Sequence, residues 1–336
     1  FMRILAYIGQ RLVLLIVALL GVSIITFVVT RVLPGNPAYL IVGVQADYST
    51  VAAVIERLGL DRPIPEQYFL YMKQLFVGDL GSSWRTGNPV TFDLASRWPA
   101  TIELATIAML LAISWAIPLG LISALRRRSL TDRLAKILSG LGVSIPEFWL
   151  ATLLILVFFA IFHIAPAPMG RINRVSPPDI ITGMYLIDSL LTGNIAAFSA
   201  AGKQIILPAA TLAFVIGAPL LRVTRAFMSE VLESQYIRSA RAMGIPKRAL
   251  IFRHALPNVL LPVTTMIAVL YGYLLGGTVL VEYVFAWPGM GKYAIDSINS
   301  SDYAPVMAVV LLSALSYLIV YLLTDLLHFF IDPRTR

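Results

Sequence analysis

The side chains able to carry chemistry are sparse, and their spacing excludes most catalysis. His163, His254 and His328 are the only histidines of the chain. They fit neither an HExxH helix nor a paired zinc spacing, so each reads as a packed or interfacial residue and not as a ligand. The absence of cysteine excludes disulfides, thiolate metal sites and cysteine nucleophiles. Ser144 and His163 share one apolar run, nearly twenty residues apart. An intramembrane serine protease would need them on facing helices in a wet cavity. No GxxxxGK[ST] loop occurs, so the chain is not itself an ATPase. What remains is Glu147, set in Ser144-Ile145-Pro146-Glu147-Phe148-Trp149 within an apolar run. A glutamate and a proline there are costly in lipid and must face protein or water. Pro146, Glu147, Phe148 and Trp149 therefore mark either a buried structural kink or a gate beside a translocation path.

The second concentration of polar chemistry is residues 236–257, YIRSARAMGIPKRALIFRHALP. Good helix formers over 234–243 end at Gly244, the residue expected just past a helix C-terminus. Pro246 suits the first turn of a following helix. Ala240 and Gly244, four apart, leave one face nearly without side chains, while Arg238, Arg241, Lys247, Arg248 and Arg253 surround it with positive charge. So short and basic an element does not span lipid. It reads as a surface knob that another protein approaches closely.

These elements need a frame, and the composition supplies it. Of 336 residues, 58% are hydrophobic and 13% charged, and mean hydropathy is +0.82. That is too apolar to cover a soluble globule, so the chain is a polytopic membrane protein. A net charge of +8 invites a nucleic-acid reading, but the basic residues fall in short loops between apolar runs, as membrane orientation requires.

Residues 12–30 are uncharged, bounded by Arg11 and Arg31, and long enough to cross a hydrocarbon core. A signal peptide is the competing reading. The run is too long for its apolar region and is followed by RVLPGNP, not by a small-residue cleavage site, so the stretch is expected to be the first span with its N-terminus inside. Residues 33–99, with Pro34, Pro37, Pro63, Pro65 and Pro89, carry nearly balanced charge and an aromatic-rich helical pattern over 66–77. They are expected to form an external cap. Further spans are expected over 104–125, 137–165 with its interruption, 205–221 with Pro208 and Pro219, 257–281, and 304–324. Gly272, Gly276 and Gly277 suit close helix approach in the fifth. Sixteen of the 26 basic residues fall on the side assigned to the cytoplasm, and six spans put both termini there. The expected division is 1–31, N-terminus and first span; 32–99, cap; and 100–336, a five-span core carrying the basic loop 229–257.

The triplet Arg238-Ser239-Ala240, Gly244 four residues on, and Leu256-Pro257 after a fixed interval resemble the EAA loop of ABC importer membrane subunits. Arg238 stands where that loop has its glutamate, and His254 where an aliphatic residue is usual. The form YIRSARAMG, with RVLPGNP, LGLDRPIPEQY, GDLGSSWRTGNPV, TGMYLID and Trp287-Pro288-Gly289-Met290-Gly291, is similar to the dipeptide/oligopeptide permeases over nearly the whole chain. The resemblance implies an all-α, six-helix type I importer permease in a bacterial cytoplasmic membrane. It further implies a second homologous permease subunit, two P-loop ATPase subunits or domains that bind ATP and Mg, and an extracytoplasmic binding protein. No cofactor is expected in this chain, and no nucleic acid. In that family the loop is the coupling helix, which sits in a groove of the ATPase; Arg238, Ser239, Ala240, Arg241, Gly244 and Ile245 are its expected contacts. Peptides are the expected substrate, with nickel chelates, glutathione or oligosaccharides as alternatives within the class. A secondary transporter, the rival outside it, would carry more helices, inverted repeats and several mid-membrane charges.

Overall fold

A computed structural model describes residues 2–32, 46–57, 59 and 61–331 of the chain. RVLPGNP from its third residue onward, and Asp332-Pro333-Arg334, lie outside the described residues. In order the helices are α1 (Met2–Val32), α2 (Tyr48–Arg57), α3 (Ile64–Phe76), α4 (Val90–Leu125), α5 (Leu130–Ser144), α6 (Glu147–Ile161), α7 (Tyr185–Leu191), α8 (Ile195–Glu233), α9 (Gln235–Ala242), α10 (Lys247–Gly277), α11 (Val279–Val284), α12 (Met290–Asn299) and α13 (Tyr303–Ile331). Among the described residues there is no strand, only an isolated antiparallel bridge between Ser82 and Pro89. Helices satisfy every backbone group within one segment, which is why an apolar chain in lipid adopts them. Five are long and apolar enough to cross a membrane, and six when the bent pair α5–α6 is counted as one.

α4 and α8 form the centre. Ala105, Ala108, Ala112 and Ala116 are buried on α4, and a Cβ added at Gly217 of α8 would enter the ring of Trp115. Small residues thus let the two axes approach where no hydrophobic force between helices is available in lipid. Both run longer than their apolar stretches. α4 begins at Val90, before the expected 104, and α8 at Ile195, before the expected 205. At about 1.5 Å per residue they extend about 54 and 58 Å, so each projects well beyond a hydrocarbon core of about 30 Å. One local and one long-range bond hold the polar extension of α4: Thr86 Oγ1 and Tyr293 Oη donate to Asp93 at 2.6 and 2.8 Å. Asn194 caps α8 by accepting from the Ala197 N–H at 3.0 Å.

The interrupted span differs most from expectation. α5 starts at Leu130, inside the stretch expected as a basic loop, with the Ser129 hydroxyl accepting from the Asp132 N–H at its N-terminus. It stops at Ser144, and α6 leaves at 106°. Ile145 and Pro146 are extended, with ψ of 122° and 136°. A proline removes a donor and pushes the preceding residue out of the helical region, which accounts for the break. The angle follows from packing: Leu150 and Ala151 of α6 are buried beside α8.

α10 packs on α13, and Gly272 is the point of closest approach, since an added Cβ would enter the ring of Tyr317. A Cβ added at Gly276 would lie 3.6 Å from the Ser313 Cβ, an ordinary contact. Gly272→Ala is expected to destabilise the detergent-solubilised chain by about 1–3 kcal/mol. Tyr317→Ala in the same background should return much of the loss in a thermal melt. α13 packs in turn on α1, joined by the ion pair Arg11–Asp325 at 3.0 Å. α3 rests on α1 through Tyr68, whose hydroxyl lies 2.8 Å from Ser23 Oγ and whose ring meets Phe27 edge-on.

The end of the bundle opposite α9 is closed by polar contacts. Arg171, almost buried, donates to Glu103 Oε2 at 2.6 Å and to the Gly183 carbonyl at 2.8 Å, and its guanidinium lies 3.7 Å from the Tyr185 ring centre. Glu103 also accepts from the Leu186 N–H at 2.7 Å. In the TGMYLID stretch Asp188 is buried. Burial alone would push its carboxyl up, but hydrogen bonds from the Thr182 hydroxyl and the Thr182, Ile181 and Gly183 N–H groups more than offset this and hold it below the usual carboxylate range. The buried Glu282 accepts from Thr101, Thr278 and the Lys292 N–H, and Trp287 Nε1 donates to the Ala100 carbonyl at 2.9 Å.

Candidate coupling site

The polar knob expected from the sequence is α9 and the turn after it. Ile237 and Ala240, three apart on one face of α9, are buried against the bundle. Arg238, Ser239, Arg241, Ala242, Met243 and Gly244 are exposed. The helix ends in a Schellman arrangement: the Gly244 N–H donates to the Arg241 carbonyl at 3.1 Å and the Ile245 N–H to the Ala240 carbonyl at 3.2 Å. This closure needs a left-handed residue after the helix, and Gly244 has φ +80°. Ile245, half-buried, then packs into the core. Pro246 is the residue preceding the next helical turn, with ψ 142°, and not within it.

Of the six expected contact residues, Arg238, Ser239, Arg241 and Gly244 share the open surface. Ala240 and Ile245 turn inward, so the face without side chains at Ala240 meets the bundle itself. Met243, 75% exposed, stands at the tip of the turn, and reading by small residues and charge passed over it. A methionine two residues after Arg241, in RAMG within a basic polar loop, was the available signal.

Polar contacts fasten this knob to the long helices. Tyr236 Oη accepts from Asn258 Nδ2 at 3.1 Å, and the same amide donates to the His254 carbonyl at 2.8 Å, tying α9 to α10. Arg127, just beyond α4, pairs with Glu233 at the end of α8 and donates to the Ser229 carbonyl at 3.0 Å. Asp132, 1% exposed, collects Ser123 Oγ at 2.8 Å, Arg225 Nε at 2.8 Å, the Arg128 N–H at 3.0 Å and Lys136 Nζ at 3.0 Å. It therefore joins α4, α5 and α8 at one point. Sequence reading missed this junction, although Ser129-Leu130-Thr131-Asp132 is a capping spacing, with the one acid in a basic run at its third helical position.

The other candidate group sits elsewhere. Pro146 is exposed at the break, Glu147 is partly buried, and Phe148 and Trp149 are 48% and 50% exposed. The Tyr273 hydroxyl, near the far end of α10, lies 3.4 Å from Glu147 Oε2. Tyr273 is 26 residues along α10 from Lys247, or about 39 Å by the rise of a helix. The basic knob and the break are thus separate sites joined by α10.

Comparison with known proteins identifies the family. Residues 116–336 match the family described as "Binding-protein-dependent transport system inner membrane component", and residues 4–105 match the N-terminal part of the same kind of component. The chain is 43% identical over 326 residues to the probable D,D-dipeptide transport system permease protein DdpB of Escherichia coli (strain K12), covering 97% of this chain and 96% of that one. It is 40% identical over 332 residues to the dipeptide transport system permease protein DppB of Alkalihalophilus pseudofirmus, covering 99% of each. The glutathione transport system permease protein GsiC of Pectobacterium atrosepticum is 34% identical over 330 residues, 98% of each. With an all-helical bundle of five to six apolar spans and a match over most of its length, the chain belongs to the family of inner-membrane permease components of binding-protein-dependent ABC transport systems.

Proposed function

We propose that this chain is the membrane-spanning permease subunit of an ATP-driven importer of di- or oligopeptides, working with a second permease, two ATPase subunits or domains and an extracytoplasmic binding protein. The observation that carries the reading is identity of 37–43% over nearly full length to permeases of dipeptide systems. Glutathione, itself a short peptide, is the second reading, favoured by the 34% relatives. The end bearing α9, with Arg126, Arg127, Arg128 and the basic residues of α8 to α10, is cytoplasmic, as are both termini; the segment of α2 and α3 is the external cap.

In this reading the ATPases grip the open face of α9, with Arg238, Ser239, Arg241, Met243 and Gly244 at the contact. Ile237, Ala240 and Ile245 anchor it from behind. When ATP draws the ATPases together, the Arg127–Glu233 pair and the Asp132 junction make α4, α5 and α8 move with the knob. α10 carries the displacement toward Tyr273 and the break at Pro146, where Glu147, Phe148 and Trp149 border the path. ATP acts only as far as the ATPase contact differs between the two permease conformations.

The first test is extraction of the chain from its native membrane in mild detergent, with its companions identified by peptide mass. A second six-span protein and P-loop ATPases are the expected companions. Recovery of the chain alone, repeated after crosslinking, would favour a self-sufficient transporter and reduce the basic loop to an orientation signal. Uptake of a labelled dipeptide by cells with and without the chain then separates the substrate readings.

A further inference from the structure

A cavity of about 360 Å³ opens between α5 and α8, apart from the coupling face, and reaches Ser144 at the edge of the break. Lys136, Arg222 and Arg225 line it together with Ser139, Gly140 and Ser144. Lys136 and Arg225 are held in place by Asp132, at 3.0 and 2.8 Å. Arg222 is exposed and has no ion-pair partner among the described residues. Three cations around one carboxylate leave an excess of two positive charges. A site of that charge in a membrane protein calls for an anion.

The position of the cavity narrows the choice. α5 and α8 run antiparallel: Asp132 meets Arg225, and a Cβ at Gly142 would enter Ala218. The three cations therefore lie within about two helical turns of the basic end, at head-group depth, while Val143 and Ser144 continue the cavity toward the bilayer interior. On that inward side Val143, 54% exposed, gives the cavity an apolar lining. Charge at the head-group layer, with an apolar surface running inward from it, matches an anionic phospholipid better than a fully soluble anion.

We propose that this cavity binds the phosphodiester head group of an anionic phospholipid, with Arg222 as its free cation and the acyl chains running inward past Val143. The lipid then sits against the Asp132 junction that joins α4, α5 and α8, and stiffens the root of the basic loop. The proposal rests on the membrane placement given above, but its test does not depend on transport or on the identity of the substrate.

The experiment is native mass spectrometry of the chain purified with its companions, delipidated and titrated separately with phosphatidylglycerol, cardiolipin, phosphatidylcholine and inorganic phosphate. Anionic lipid should remain bound in preference to phosphatidylcholine, and Arg222→Gln should weaken it roughly fivefold. Gly140→Phe supplies a second variant, since no atom lies within 4 Å of an added Cβ there; it fills the cavity and should abolish the adduct. Equal retention of phosphatidylcholine, no response to either variant, or displacement by inorganic phosphate or a dipeptide at equal concentration overturns the proposal. So does a crosslink from Ser139→Cys to the companion permease, which would show that protein and not lipid covers the cavity.

Discussion

Gly244→Glu is expected to insert, fold and assemble like the parent chain while ATP-driven uptake falls to background. Gly244 is exposed at φ +80°, and an added Cβ there meets no atom within 4 Å. The structural penalty is then local left-handed strain of about 1–3 kcal/mol in one turn, too little to unfold the bundle. The functional penalty is larger, because a carboxylate and two further carbons are placed in the middle of the open face beside Arg241. Moving a two-state permease from one conformation to the other takes a difference of about 5.5 kcal/mol in binding. A contact spoiled at its centre does not supply it. Gly244→Ala keeps the strain without the charge and bulk, and should retain partial uptake. Reconstituted vesicles measure both: uptake per ATP hydrolysed for each variant, with companion recovery as the control for assembly. Full uptake by Gly244→Glu would remove this turn from the coupling machinery.

The second large effect is expected at the opposite end. Arg171 and Glu103 are 6% and 4% exposed and 2.6 Å apart. Truncating either leaves the other charge buried without its partner, which costs about 3–5 kcal/mol. Glu103→Ala also strips the Leu186 N–H of its acceptor, so the segment carrying α7 loses its tie to α4. Each single variant should melt earlier and be cut by protease within residues 166–194. Replacing both by apolar residues of similar size, Glu103→Leu with Arg171→Met, should recover most of the loss, because a buried pair owes much of its apparent worth to the damage done by halving it. The Arg171 Nε has no acceptor among the described residues, which favours such recovery. Single variants as stable as the parent would show that this end is held by Trp287 and Asp188 instead.

The amino-acid sequence by itself determined the class and the placement of most helices. Apolar runs of sufficient length become helices in lipid because no other partner for the backbone exists there. It also determined the end of α9, since Gly244 is the residue that fits its left-handed closure, and the break at Pro146, where the missing N–H stops the ladder. The EAA-like spacing marks the basic knob.

Only the tertiary structure decided which faces those elements present. Ala240 reads as open surface from its spacing but is buried, because α9 lies against the bundle through Ile237 and Ala240. The 106° turn at Pro146 comes from the seat of Leu150 and Ala151 beside α8, and nothing local specifies an angle. α4 reaches back to Val90 because Asp93 finds Tyr293, 200 residues away, and Glu103 finds Arg171 across 68. Periodicity, caps and prolines act within a few residues of themselves. A buried charge is tolerated or not according to a partner that only the folded chain brings near.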